Sequence, residues 1–179
     1  MAQLPLLDPK NDYVFKRVFG EAPALLRMLI SDLRPDLPPI QSLEVLNPGI
    51  QSEELRGKYI ILDVLARDAE GHGYNVEIQV RRYDAWHQRG LFYLSRMLTQ
   101  QLEAGQDYAA LRAAVGIHLL DFDLFRAPER AQQALWCFEM RDAETPSVRL
   151  GEELELNLVE LRKADRMSQL PSALYAWVT

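Results

Sequence analysis

The stretch "LDVLARDAEGHGYNVEIQV", residues 62–80, decides the fold. It reads as a β-hairpin, two apolar runs joined by the Gly-rich turn "DAEGHG", with strands at roughly 58–67 and 74–81. Asp63 interrupts a run of Ile, Leu and Val, and Glu77 sits in the middle of the returning strand. Side chains alternate along a strand, so Ile61, Asp63, Leu65 and Arg67 share a face with Asn75, Glu77, Gln79 and Arg81. With the turn centred near Glu70, Asp63 lies opposite Glu77, and their Cβ atoms are about 4.5–5.5 Å apart. A slip of one residue would send the two acids to opposite faces.

Two carboxylates that close repel each other unless a proton, an arginine or a divalent cation neutralises them. A solvated pair bridged by Arg67 or Arg81 would need no metal. Oxygen donors with no His or Cys close by in sequence suit Mg²⁺ or Mn²⁺ better than Zn²⁺. Such an ion keeps open positions, polarises a phosphate and lowers the pKa of a bound water.

Outward from the hairpin, "NDYVFKRVFG" (11–20) predicts a helix capped by Asn11 or Asp12 and stopped by Gly20. "APALLRMLISDL" (22–33) predicts a second helix, and "SLEVLN" (42–47) a strand. After the hairpin, "DAWHQRGLFYLSRMLTQQLEAG" (84–105) predicts a long helix. Asp84 is its expected N-cap, Leu91, Leu94, Leu98 and Leu102 its buried stripe, and Gly105 its terminator. A short helix near 107–113 precedes three strands, at 113–122, 134–140 and 154–161. Trp177, two positions from the end, is placed as though the chain stopped partway through a helix. Helix, three strands, helix and strand predict an α/β fold with a mixed central sheet flanked by helices, in one domain over residues 1–179.

The composition is that of a soluble protein, without a signal peptide or an apolar run near the ~20 residues of a membrane span. A single cysteine, Cys137, excludes an internal disulfide and a Cys-rich zinc site, so a reducing, cytoplasmic setting is expected. The net charge of −6 argues against a protein that coats nucleic acid. Residues 1–100 carry 12 Lys/Arg against 13 Asp/Glu, and residues 101–179 carry 8 against 13, so an anion site is expected in the first hundred.

Asp63 followed by Glu77-Ile78-Gln79 on the next strand resembles the PD-(D/E)xK nuclease signature in a D…E-x-Q form. The element order resembles that superfamily's restriction-endonuclease-like αβββαβ core. More narrowly, "PKNDYVFKRVFG" (9–20), "GKYIILDVLARDAEGHGYNVEIQ" (57–79), "RGLFYLSRMLTQQLEAGQDY" (89–108), "IHLLDFDLF" (117–125) and "LVELRK" (158–163) resemble the PD-(D/E)xK family transposases, the Rpn-type recombination-promoting nucleases. Members are often longer, with a further helical segment after the nuclease core, most of which this chain is expected to lack. The resemblance implies a Mg²⁺-dependent DNA endonuclease, with Mn²⁺ as a substitute, linked to recombination or mobile elements. It implies Asp63 and Glu77 as metal ligands, the Ile78 carbonyl as a third, and Gln79 in the place of the superfamily's lysine. An amide orients water but carries no charge. Nothing resembles the DDE site of a strand-transfer enzyme, so joining is not expected.

Lys58 and Arg81 are candidates for the missing charge, Lys58 with the opposite parity. Arg82, Arg89 and Arg96 are candidates for phosphate contacts, set against the reading of an exposed helix surface; Lys16 and Arg17 carry the same two readings. Glu53 and Glu54 are weaker candidate ligands. Glu160-Leu161-Arg162-Lys163 imitates ExK without a facing Asp and is taken as a decoy, while His72 and His118 are taken as structural. The rival functions are a catalytically weak DNA-binding or regulatory protein on the same fold, and an interaction module with incidental rim acids. A homodimer would suit double-strand cuts.

Overall fold

The computed structural model describes residues 8, 10–35, 37–46, 64–82, 84–167, 169–170, 175 and 177. Four helices are described, α1 (Asp12–Glu21), α2 (Pro23–Leu33), α3 (Trp86–Thr99) and α4 (Leu161–Arg166). The six strands are β1 (Leu43–Leu46), β2 (Val64–Asp68), β3 (Gly73–Gln79), β4 (Ala114–Leu120), β5 (Leu135–Glu139) and β6 (Leu154–Glu160). They form one sheet in the order β1-β2-β3-β4-β6-β5. Pairs β1/β2, β2/β3 and β5/β6 are antiparallel, and β3/β4 and β4/β6 are parallel. The sheet is therefore mixed and flanked by helices, as the sequence predicts.

Alternation along the strands divides the core into two layers. Val64, Ala66, Tyr74, Val76, Ile78, Val115, Ile117 and Leu119 pack under α1 and α2, against Phe15, Phe19, Leu26, Leu29 and Ile30. The opposite face meets α3 through Trp86, Leu94 and Met97, with Leu120, Leu156 and Leu158 in the same cluster. β4 is buried along its whole length, which is why its sequence reads as an apolar run and not as an alternation. Near the C-terminus, Trp177 is helical, lies 6.2 Å from the Phe19 ring and donates from Nε1 to Asp32 at 2.8 Å.

Helix α3 corrects three expectations. It starts after Ala85 with no side-chain cap, so Asp84 is not its N-cap. It ends at Thr99 because the amide of Gln101 pairs with the backbone of Arg112, donating to its carbonyl at 2.9 Å and accepting from its N–H at 2.7 Å. Gly105, at φ +91°, serves a later turn. The buried face is Trp86, Gly90, Tyr93, Leu94 and Met97, while Leu91 is 53% exposed. Gly116 on β4 fixes that face, since a Cβ there would meet Leu156 at 2.8 Å and Leu94 at 3.3 Å. α1 runs through Gly20 to Glu21, and Asn11 caps it through Oδ1, which accepts from Val14 N at 3.4 Å. Residues 107–113 hold only a single 3-10 turn, Tyr108–Ala110. α4 takes up the sequence directly after β6, a helix the strand pattern did not predict.

Candidate active site

The hairpin closes over Gly71, at φ +91°, with Asp68 collecting the turn. Asp68 Oδ1 accepts from His72 N at 2.8 Å, and Oδ2 lies 2.9 Å from His72 Nδ1 and accepts from Tyr74 Oη at 2.8 Å. His72 is thus a turn residue, as expected. The register pairs Val64 with Val76, Leu65 with Asn75, Ala66 with Tyr74 and Arg67 with Gly73. These rungs agree with the register expected from the sequence. Asp63, Lys58, Glu53 and Glu54 lie outside the described residues.

Glu77 and Gln79 occupy the end of β3 on the α3 face, beside His118 and Leu120 of β4. The side chain of Glu77 is buried, and its Oε1 lies 3.0 Å from a guanidinium nitrogen of Arg89. Arg89 donates from Nε to Tyr93 Oη at 3.1 Å and lies over that ring, 5.2 Å from its centroid. His118 is fully buried, edge-on to Trp86 at 5.4 Å and 83°. Burial, with the positive charge of Arg89 adding to it, pushes its imidazole down to about 3, so it is neutral near pH 7 and serves as no acid there.

Polar atoms without partners concentrate on this face. Both amide atoms of Asn75, Gln79 Oε1, Trp86 Nε1 and both ring nitrogens of His118 are buried and make no hydrogen bond among the described residues. Leaving such an atom without any partner costs about 1–3 kcal/mol, so hydrogen-bonding capacity is concentrated on this face. A buried carboxylate together with an unpartnered amide oxygen is an all-oxygen donor set, the kind that suits a hard divalent cation. In that chemical sense the residues present fit the ion the sequence implies.

The other candidate residues divide. Ile78 turns its side chain into the α1/α2 core while its backbone stays at the site's strand. Arg81 and Arg82 are exposed just beyond β3, without charged partners among the described residues. Arg96 is half-buried on α3, also without one. Arg89 serves as the partner of Glu77, a contact its reading as a helix-surface phosphate ligand did not anticipate. The i, i+4 spacing of Arg89 and Tyr93 was the available signal. Arg17 pairs with Glu21 on α1, an ordinary surface pair. Glu160 is a structural residue, as expected. It accepts from Trp136 Nε1 at 2.6 Å and pairs with buried Lys163 at 2.8 Å.

Two further groups have metal-like composition, Asp68, Glu70 and His72 at the hairpin turn, and Cys137, Glu139 and Glu155 on β5 and β6. Internal partners already engage most of their acids. Asp68 holds the turn, Glu139 pairs with Arg141 and Arg149, and Glu155 takes Arg34 at 2.8 Å and Asn157 at 2.6 Å.

A mixed sheet with flanking helices, and an acid and an amide at the end of the hairpin's second strand, defines a restriction-endonuclease-like α/β protein. The sequence model of the PD-(D/E)XK nuclease family transposases matches residues 9–179, and the chain belongs to that family. No curated protein and no solved structure was found to match it. Membership implies a nuclease-type function with DNA as substrate, and PD-(D/E)XK nucleases generally use divalent metals. No helix among the described residues is long and apolar enough to cross a membrane.

Proposed function

We propose that the protein is a Mg²⁺-dependent DNA endonuclease, one nuclease-like unit that hydrolyses a phosphodiester by attack of water. The observation that carries this reading is the β2/β3 register. Its described rungs, Val64 with Val76 to Arg67 with Gly73, are those of the register that the sequence reading uses to set Asp63 against Glu77, and Glu77 shares its face of the sheet with Gln79 and meets Arg89 there. Asp63 and Glu77 would hold the cation, with the Ile78 carbonyl as a third donor. An ion held there would supply Lewis-acid chemistry and would lower the pKa of a coordinated water. Gln79 Oε1, which has no partner among the described residues, is suited to accept a hydrogen bond from an O–H of that water and so to orient it. Arg81, Arg82 and Arg96 are available for backbone phosphates, which position DNA without reading its sequence. Lys58 is a further cation for the same role. A reducing cytoplasm and a homodimer that cuts both strands belong to the same reading.

Supercoiled plasmid incubated with Mg²⁺, Mn²⁺ or EDTA tests it, comparing wild type with Asp63→Ala and Glu77→Ala. Nicking or linearisation that needs metal and is lost in both variants is expected. A second reading, a DNA-binding protein without catalysis, is favoured by one observation. Glu77 already has a full counter-charge in Arg89. DNA binding that survives Asp63→Ala, with no cleavage by wild type under any metal, would select that reading.

A further inference from the structure

Arg89 lies against the carboxylate that a cation on Glu77 would use. It is the fourth residue of α3, and a guanidinium nitrogen lies 3.0 Å from Glu77 Oε1. The guanidinium is held from its own helix by the hydroxyl of Tyr93 at 3.1 Å and by the ring beneath it. α3 lies this close because residue 90 is glycine; a Cβ there would sit 3.0 Å from Cε1 of His118. The side chain of Glu77 is 4% exposed and that of Arg89 is 36%, so one partner is buried and the other reaches solvent.

A carboxylate this buried has to be compensated. Among the described residues, Arg89 is the cation paired with Glu77. A divalent ion on Glu77 would share a single carboxylate charge with the guanidinium nitrogen at Oε1, so the two positive charges would compete for it.

We propose that Arg89 is a placeholder and a clamp. Without metal it holds the Glu77 carboxylate against a divalent cation; with metal bound, its guanidinium takes a phosphate oxygen of the nucleic acid entering from the solvent side. The planar fork suits phosphate as well as carboxylate. The charge that Gln79 cannot supply thus comes from the helix. This rests on the nuclease reading above.

Mn²⁺ titration calorimetry without DNA, on wild type, Arg89→Gln and Arg89→Lys, tests the placeholder, with thermal unfolding of each to verify the fold. Single-turnover plasmid cleavage by the same three proteins tests the clamp. Arg89→Gln is expected to bind Mn²⁺ about tenfold tighter, within the usual range of coupling between two ligands. It is expected to cut about a hundredfold more slowly. Arg89→Lys should keep near wild-type Mn²⁺ affinity and recover part of the rate. Unchanged or weaker Mn²⁺ binding in Arg89→Gln overturns the proposal. Arg89 would then be an orienting partner of Glu77, whose loss typically weakens metal binding about 10–100-fold. Tighter binding with an unchanged rate overturns the clamp. Tighter binding without cleavage by any of the three supports the placeholder and removes the nuclease reading. No Mn²⁺ binding by any of them overturns both.

Discussion

Asp121 follows the last residue of β4 and is mostly buried, yet it works as a charged residue. Lys10 donates to Oδ1 at 2.9 Å and Arg162 to Oδ2 at 3.3 Å. Burial alone would raise its carboxyl; the hydrogen bonds and charges of Lys10 and Arg162 outweigh burial and hold it below its ordinary value. A carboxyl lowered in the folded state contributes stability that is present above its unfolded pKa of about 3.9 and is lost as pH falls through the folded value. Both cations are about half exposed, so solvent screens the pairs, and Asp121→Asn should cost only about 1 kcal/mol at pH 7. Urea unfolding should show that difference shrinking once pH drops below about 4. A difference that stays constant down to pH 2 would mean the effect is packing. Cys137 is an exposed residue of β5, yet partial burial, helped by Glu155 and Glu139, pushes its thiol up to about 11. Iodoacetamide at pH 7.5 should react about 100-fold more slowly than with a cysteine peptide, and at the peptide rate in urea. Reaction at the peptide rate in the folded protein would contradict that environment.

Between elements, the Glu160–Lys163 pair binds the β6–α4 junction to its surroundings. Glu160 closes β6 and accepts from Leu124 N at 2.5 Å and Phe125 N at 3.0 Å, besides Trp136 and Lys163. Lys163 also donates to the Phe125 carbonyl at 2.5 Å. Lys163→Met would leave a buried carboxylate without its cation and should cost about 3–5 kcal/mol. Glu160→Gln combined with Lys163→Met should cost less than the single change, measured as a double-mutant cycle in denaturant; additive losses would count against the pair. Gly116→Ala should cost about 1–3 kcal/mol by overpacking between α3 and β6. This contact also explains the misplaced stripe on α3. A hydrophobic pattern selects leucines, whereas the helix touches the sheet where Gly116 and Gly90 allow close approach, which turns Leu91 outward.

For the whole molecule, the net charge of −6 sets a limit on how nucleic acid is held. DNA binding as proposed would rely on a few local cations, and the rim beyond β3 with α3 offers Arg81, Arg82, Arg89 and Arg96 for it. DNA affinity measured with Ca²⁺ in place of Mg²⁺ should fall with salt at a log–log slope no steeper than about −4, from ~0.9 per phosphate contact. Arg82→Ala should make the slope shallower by about one. A slope near −8 would place the footprint on another surface, and the second half of the chain does hold arginines at 126, 162 and 166 around one cleft.

Much of this arrangement was legible because it is local. The period-two alternation of 64–67 and 73–76, with a Gly-rich turn between them, is enough to set the described hairpin register, and the alternation of element types is enough to indicate the mixed sheet. The sequence by itself therefore determined the order of the six strands and the first three helices, the hairpin and the shared face of Glu77 and Gln79. Only the tertiary structure decided that β6 enters between β4 and β5, that Arg89 reaches Glu77, and that Asn75, Gln79, Trp86 and His118 bury unpartnered atoms on one face. The physical reason is distance along the chain. Backbone alternation fixes which way a side chain points, whereas the partner it meets depends on which elements become neighbours when the layers close.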